Sequence, residues 1–110
     1  MSELRKIEIP VDERIFESVG RELGLRVERQ AEIRGYSTQG MIGSPVICGN
    51  RMDIGVVTEG NTKRIVYDDM CKEAQDVMTH YMDKYITKKL RGRITSKREM
   101  EHQVIYLVNV

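Results

Sequence analysis

Two aspartates, Asp53 and Asp68, bracket a segment patterned as a β-hairpin. Met52, Ile54 and Val56 alternate with Asp53, Gly55 and Val57, and Arg64 to Tyr67 is the return strand. Between them Glu59-Gly60-Asn61-Thr62 reads as a two-residue turn with glycine at its first central position. Pairing centred on Gly60-Asn61 sets Ile54 against Tyr67, Val56 against Ile65, and Asp53 against Asp68. Carboxylates so placed repel each other unless something intervenes. They can share a proton as an acid–base pair or hold a divalent cation, which makes Asp53 and Asp68 the candidates for a metal-dependent or acid–base enzyme. The plainer arrangement has Arg34 or Arg51 neutralising Asp53 while Asp68 caps the helix that follows. The plainer arrangement is the expected one, so no catalytic residue, metal or cofactor is assigned.

The other charged feature is basic. Lys84, Lys88, Lys89, Arg91, Arg93, Lys97 and Arg98 occupy a stretch without a single acid. The chain has 18 bases and 17 acids, so those seven leave eleven bases against all 17 acids elsewhere, a +7 segment beside a −6 remainder. Such a split suits an anionic partner or the acidic face of a second copy. On a helical wheel Lys84, Lys88 and Arg91 fall within about 60°, forming a ridge that continues into Arg93, Lys97 and Arg98. Aromatic residues are few, and Tyr81 and Tyr85 belong to an apolar stripe, so stacking on single strands is poorly supported. Phosphate contact without base readout is the nucleic-acid mode that fits. The ordinary alternative is that cations favour helix C-termini and solvate surfaces.

Other constellations fall away on spacing. The loop from Gly35 to Gly43 could form an anion-binding nest, but it lacks a Gly-Lys-Ser/Thr ending and no helix follows it. Cys71 and His80 are nine residues apart, which at about 100° per residue puts them on opposite sides of a helix. Cys48 and Cys71 suit a reduced core, and no zinc spacing is present.

These residues need a scaffold. At 110 residues the chain is sized for one domain, residues 1–110. No apolar run approaches the roughly 20 residues of a membrane span, and Met1 to Lys6 lacks the apolar stretch of a signal peptide, so a cytoplasmic protein is expected. Leu4 to Ile9 reads as a strand ended by Pro10. Val11, Ile15, Val19 and Leu23 then stripe a helix capped by Asp12 and terminated by Gly24. From Leu25 to Arg34 the period is two, the pattern of one half-buried strand. A short strand over Ser44 to Cys48 precedes the hairpin. Asp68 and Asp69 mark the start of a second helix running to about Leu90, with Met70, Ala74, Val77, Met78, Tyr81 and Tyr85 on its apolar side. Residues 93 to 101 are expected to pair with a last strand, Gln103 to Val110, which is apolar on both faces and therefore expected inside a sheet. The order β-α-β-β-β-β-α-β-β predicts an α+β fold, a mostly antiparallel sheet with two helices packed on one face.

Several of these residues together resemble a known family. Arg34-Gly35-Tyr36 closes the second strand, and Asn50-Arg51-Met52-Asp53-Ile54-Gly55 opens the hairpin. Ile65-Val66-Tyr67-Asp68 closes it, and Tyr85 lies late in the second helix. Their order and spacing resemble the small cyanobacterial and algal-plastid proteins called hypothetical chloroplast reading frame thirty-five, from the first strand through the second helix. The resemblance implies no activity; it implies association with a AAA-type ATPase. The chain departs from the family pattern after Asp68, where the plastid proteins carry an aromatic-containing segment and this one has Asp69-Met70-Cys71-Lys72. The expectation is a small non-catalytic interaction protein that associates with itself or with a protein partner. The alternative is nucleic-acid or phosphate binding through the Lys84–Arg98 ridge.

Overall fold

The computed structural model describes residues 4–7, 10–89, 93–100 and 103–109, with side chains over 10–89. Its elements are β1 (Leu4–Ile7), α1 (Glu13–Glu22), β2 (Arg26–Glu28), β3 (Ala31–Glu32), β4 (Ile42–Gly43) and β5 (Val46–Cys48). The hairpin β6 (Asp53–Glu59) and β7 (Thr62–Asp68) follows, then α2 (Ala74–Lys89), β8 (Arg93–Met100) and β9 (Gln103–Asn109). An antiparallel five-stranded sheet runs in the order β1-β7-β6-β5-β2, with two-stranded sheets β3-β4 and β8-β9 beside it. The fold is α+β, and among the described residues no helix is long and apolar enough to cross a membrane.

Local chemistry accounts for the first helix. Asp12 accepts from the backbone N–H of Ile15 at 3.1 Å, the bond of an N-cap. Gly24, at φ 73°, ends the helix in the left-handed region. The stripe that reaches the core is Ile15, Phe16, Val19 and Gly20, whereas Val11 and Leu23 pack at its margin. Gly20 sits where the helix backbone meets the sheet: a Cβ there would lie 2.8 Å from Val27 Cγ2 and 2.9 Å from Ile47 Cγ1.

Both helices cover one face of the sheet. Ile15, Phe16 and Val19 of α1 and Ala74, Val77 and Tyr81 of α2 bury Ile47, Ile54, Val56 and Ile65. Phe16 meets Tyr81 edge-on, ring centroids 6.3 Å apart, and Tyr81 lies 5.9 Å from Tyr85. The Tyr81 hydroxyl donates to Pro10 O at 2.9 Å and accepts from Asp12 N–H at 2.8 Å, tying α2 to the entry of α1. Burial pushes its pKa up to about 12.

The opposite face is covered too. Ile33, Val46, Cys48 and Val66 form a second core, flanked by Ala31, Met41 and Val57. The single strand expected from Leu25 to Arg34 is instead two. β2 stays in the main sheet, and β3 pairs with β4, an element the sequence pattern did not suggest. The physical reason is Ile33, which lies over Gly55 of β6 and Gly43 of β4; Cβ atoms on those glycines would come within 2.6 Å and 3.1 Å of its Cδ1. Two missing side chains make the slot that lets the excursion fold back as a roof.

The element order thus gains two strands over the expected β-α-β-β-β-β-α-β-β. The hairpin register is as anticipated, Ile54 against Tyr67 and Val56 against Ile65. The second helix starts later, at Ala74, because Asp68 to Cys71 first closes a turn through Cys71 N–H to Asp68 O at 2.9 Å. Met70 therefore lies outside the helix and is exposed, while Ile86 is buried. β9 does pair with β8, but the two form their own sheet rather than placing β9 inside a larger one.

Candidate functional site

The two aspartates stand together at one end of the hairpin, Asp53 opening β6 and Asp68 closing β7. Both are buried. They do not face each other unaided, because the chain from Arg34 to Thr38 supplies each with its own donors.

Asp53 is gripped by Arg34. The guanidinium donates from Nη2 to Oδ1 at 2.8 Å and from Nε to Oδ2 at 2.9 Å, a bidentate fork. The backbone N–H of Arg34 adds a bond to Oδ2 at 2.9 Å, and Asp53 N–H returns one to Arg34 O at 3.0 Å. Nη2 also reaches Gly49 O at 2.8 Å. The hydrogen bond to Asp53 raises the Arg34 pKa, so this cation is fixed. Arg34, and not Arg51, is the neutralising base.

Asp68 is held differently. Its Oδ2 accepts from Ser37 N–H at 2.8 Å and Ser37 Oγ at 2.9 Å, and its Oδ1 from Met70 N–H at 2.9 Å. Burial by itself would raise the pKa of this carboxyl, but the bonds from Met70 and Ser37 outweigh it and bring the value down to about 2. Asp68 caps the turn before α2 and the loop over it, rather than the helix itself. Gly35 permits the close approach: a Cβ there would meet Thr38 Oγ1 at 2.5 Å and Asp68 Cβ at 3.1 Å. Thr38, fully buried, donates to Ile33 O at 2.8 Å. Ser37 and Thr38 are the residues that sequence reasoning missed. Their signal was two adjacent hydroxyls close after Gly35, in the glycine-containing loop weighed above only as an anion-binding nest.

A third tie completes the frame. Glu73 accepts from Asn50 N–H at 3.0 Å, joining the turn before β6 to the approach of α2. Loop 35–39, turn 50–52 and segment 70–73 then enclose an open cleft of about 560 Å³. Its outward lining is Tyr36, 66% exposed, Met70, 55% exposed, and the exposed Arg51 and Lys72. Of the sequence motifs beside the hairpin, Gly35, Tyr36, Asn50, Arg51 and Met52 line this cleft, and Arg34, Asp53 and Asp68 hold its frame. Ile54 and Gly55 lie behind them in the two cores. Tyr85 does not join them; it packs against Tyr81 between the helices.

The basic ridge is partly spent inside the molecule. Lys84 pairs with Glu22 and donates to Ser18 Oγ at 3.3 Å, and Lys89 pairs with Asp12 at 2.7 Å. The hydrogen bond from Lys89, with that from Ile15 N–H, lowers the Asp12 pKa. Lys88 is exposed. Arg91 lies outside the described residues, and Arg93, Lys97 and Arg98 are described only by their register positions on β8. Cys71 is buried and its thiol is pushed up to about 11 by that burial, far from a nucleophile's range. His80 Nδ1 lies 2.8 Å from the Asp76 carbonyl within its own helix. Among the described residues no group of three His, Cys, Asp or Glu side chains could hold a metal ion.

Comparisons with family models, with curated proteins and with solved structures find no match to this chain.

Proposed function

We propose that this protein is a non-catalytic binding module that works through association with a protein partner or with a second copy of itself. The observation that carries this reading is the engagement of both buried aspartates. Each oxygen of Asp53 and Asp68 already accepts from Arg34, Ser37 or Met70, so the carboxylates hold a loop in place. These bonds compete for the lone pairs that a general base uses to take a proton and a metal ligand uses to bind. The loop so held carries Tyr36 to the surface beside Met70. Exposed aromatic and Met side chains on a fixed frame are the composition of a contact surface. The resemblance to the reading-frame family supports a AAA-type ATPase as the partner class. Pairing of Lys84 and Lys89 with acids leaves the phosphate-binding alternative with less free charge than the sequence offered.

The test is affinity capture from nuclease-treated native extract at about 0.05 and 0.5 M salt, a range over which phosphate-driven binding collapses. Wild type is compared with the Tyr36→Ala/Met70→Ala double variant, whose exposed positions should leave folding intact. A stoichiometric protein partner, kept at high salt and lost in the double variant, is the expected result. Nucleic acid retained from a parallel extract without nuclease, at low salt alone and with no protein partner in either extract, would overturn the reading.

A further inference from the structure

The hairpin β8–β9 divides its composition by strand. Its register sets Glu99 against Val104, Arg98 against Ile105, Lys97 against Tyr106, Ser96 against Leu107 and Ile94 against Val108. By the two-residue alternation of a strand, Val104, Tyr106 and Val108 share one face of β9, and Ile105 and Leu107 share the other. Both rows are apolar, the composition of a strand inside a sheet rather than of one left open at an edge. Yet β9 is hydrogen-bonded to β8 and to no other strand among the described residues. Its far edge carries a row of N–H and C=O groups without a strand partner. β8, by contrast, contains Arg93, Lys97 and Arg98, and cations in an edge strand are what blunt it against further pairing. The protected edge is thus the polar strand and the open edge is the apolar one.

The sequence of β9 names the occupant. Gln-Val-Ile-Tyr-Leu-Val-Asn reads nearly the same in both directions about Tyr106. In antiparallel self-pairing Val104 meets Val108 of the second copy, Ile105 meets Leu107, Tyr106 meets Tyr106, and the amides Gln103 and Asn109 meet at the ends. We infer that β9 pairs with β9 of a second copy of this chain about a two-fold axis, making a four-stranded sheet in the order β8-β9-β9-β8. The contact is isologous, so it closes at two copies instead of propagating. It also separates the two basic strands by three strand spacings, about 14 Å. That exceeds the Debye length of about 8 Å at physiological salt, so repulsion between them is largely screened. The inference rests on the association reading and assigns one partner within it. It is separable from that reading, since capture of another protein through Tyr36 and Met70 does not require the dimer.

The experiment is sedimentation equilibrium of the full chain at about 1–100 µM, followed by mild oxidation of Tyr106→Cys and of Ser96→Cys, each checked for folding by circular dichroism. Residues directly opposite across an antiparallel pair bring their Cβ atoms to about 4.5–5.5 Å, from which a small backbone shift reaches the roughly 3.5–4.5 Å of a disulfide. We expect a concentration-dependent dimer, a covalent dimer from Tyr106→Cys and none from Ser96→Cys. On the wild-type chain, which needs no variant to fold, alternate β9 amides should exchange about tenfold slower when dimeric than when diluted to monomer. A monomer throughout the range overturns the inference. So does a dimer that crosslinks through position 96, or a wild-type dimer whose β9 amides exchange at an unchanged rate, because either places the contact elsewhere.

Discussion

A methyl group added at Gly55 tests whether the roof over the second core is what the central strand is shaped for. The new Cβ would lie 2.6 Å from Ile33 Cδ1 and 2.7 Å from its Cγ1, with Val46 Cγ2 at 3.3 Å. Carbon atoms prefer about 3.5–4.0 Å, so roughly an ångström of movement is needed. Ile33 has little room to give: it is fully buried and already spans to Gly43, where a Cβ would sit 3.1 Å from the same side chain. Overpacking of this kind costs about 1–3 kcal/mol. Replacing glycine in a strand returns up to about 1 kcal/mol by restricting the unfolded chain. The net expectation for Gly55→Ala is a loss of about 1–2 kcal/mol, or about 5–15 °C in Tm for a chain of this size. Urea unfolding at neutral pH measures it, with an unchanged slope as the check that the variant still folds as one unit. Ile33→Val supplies the control. That change alone costs about 0.5–1.5 kcal/mol, but it removes the nearest clashing atom. The double variant should therefore be less damaged than the sum of the two, by about 1 kcal/mol. A neutral or stabilising Gly55→Ala, or a cycle additive to within about 0.3 kcal/mol, would refute the slot and with it the reason given for the β3–β4 excursion.

Three further outcomes follow from the site. Asp68 ionises at about 2 when folded against 3.8 when free. Its contribution of about 2 kcal/mol is therefore present above pH 4 and lost as the pH falls toward 2, and acid titration of stability should show that step in wild type and not in Asp68→Asn. Arg34→Met should cost about 3–5 kcal/mol, because Asp53 would remain buried with its main counter-charge gone. Arg34→Lys should recover little of that cost, since an ammonium cannot reproduce the fork that reaches Asp53 and Gly49 together; thermal unfolding compares the two. Because Asp53 is already occupied by Arg34, millimolar Mg²⁺, Mn²⁺ or Ca²⁺ should leave Tm unchanged, and a rise of several degrees that disappears in Asp53→Asn would reopen the metal reading.

What could be read from the sequence was what depends on local pattern. The Asp12 cap, the Gly24 terminator and the hairpin register came from adjacent residues and fixed periods, and the structure has all three. The break between β2 and β3 left one local trace, Arg29 at a position where the alternation from Leu25 to Ile33 calls for an apolar residue, and a single charged residue does not by itself divide a strand. What breaks it is tertiary: a slot between Gly43 and Gly55, from segments distant in the chain, takes Ile33. The helix start was misplaced for a related reason. An aspartate before an apolar stripe looks like a helix cap, and only the presence of Ser37 shows that Asp68 serves a loop and a turn at once. For Asp53 the pattern narrowed the partner to Arg34 or Arg51 without choosing. The choice needed the backbone of Arg34 to run beside β6, where main-chain and side-chain bonds reach the same carboxylate.

Those doubled bonds also bear on how the surface works. A loop ordinarily loses conformational freedom when it binds, and each residue so ordered subtracts about 1–2 kcal/mol from the affinity. Here the residues on either side of Tyr36 are fixed before any partner arrives, Arg34 to Asp53 and Ser37 to Asp68, and Gly35 is pressed against the Asp68 side chain. The ring has only two side-chain torsions left to settle. Loosening the frame should therefore weaken association even where the contacting side chains are untouched. Ser37→Ala removes one donor to Asp68 and no exposed atom of the cleft lining. Its effect on partner affinity should exceed that of an exposed substitution remote from the cleft, such as Lys63→Ala at the far end of the hairpin. Titration calorimetry would report the loss as a less favourable entropy with little change in the heat-capacity signature of buried apolar area. Equal affinities for the two variants would mean that the rigidity of this loop, and the aspartates that confer it, serve the fold alone.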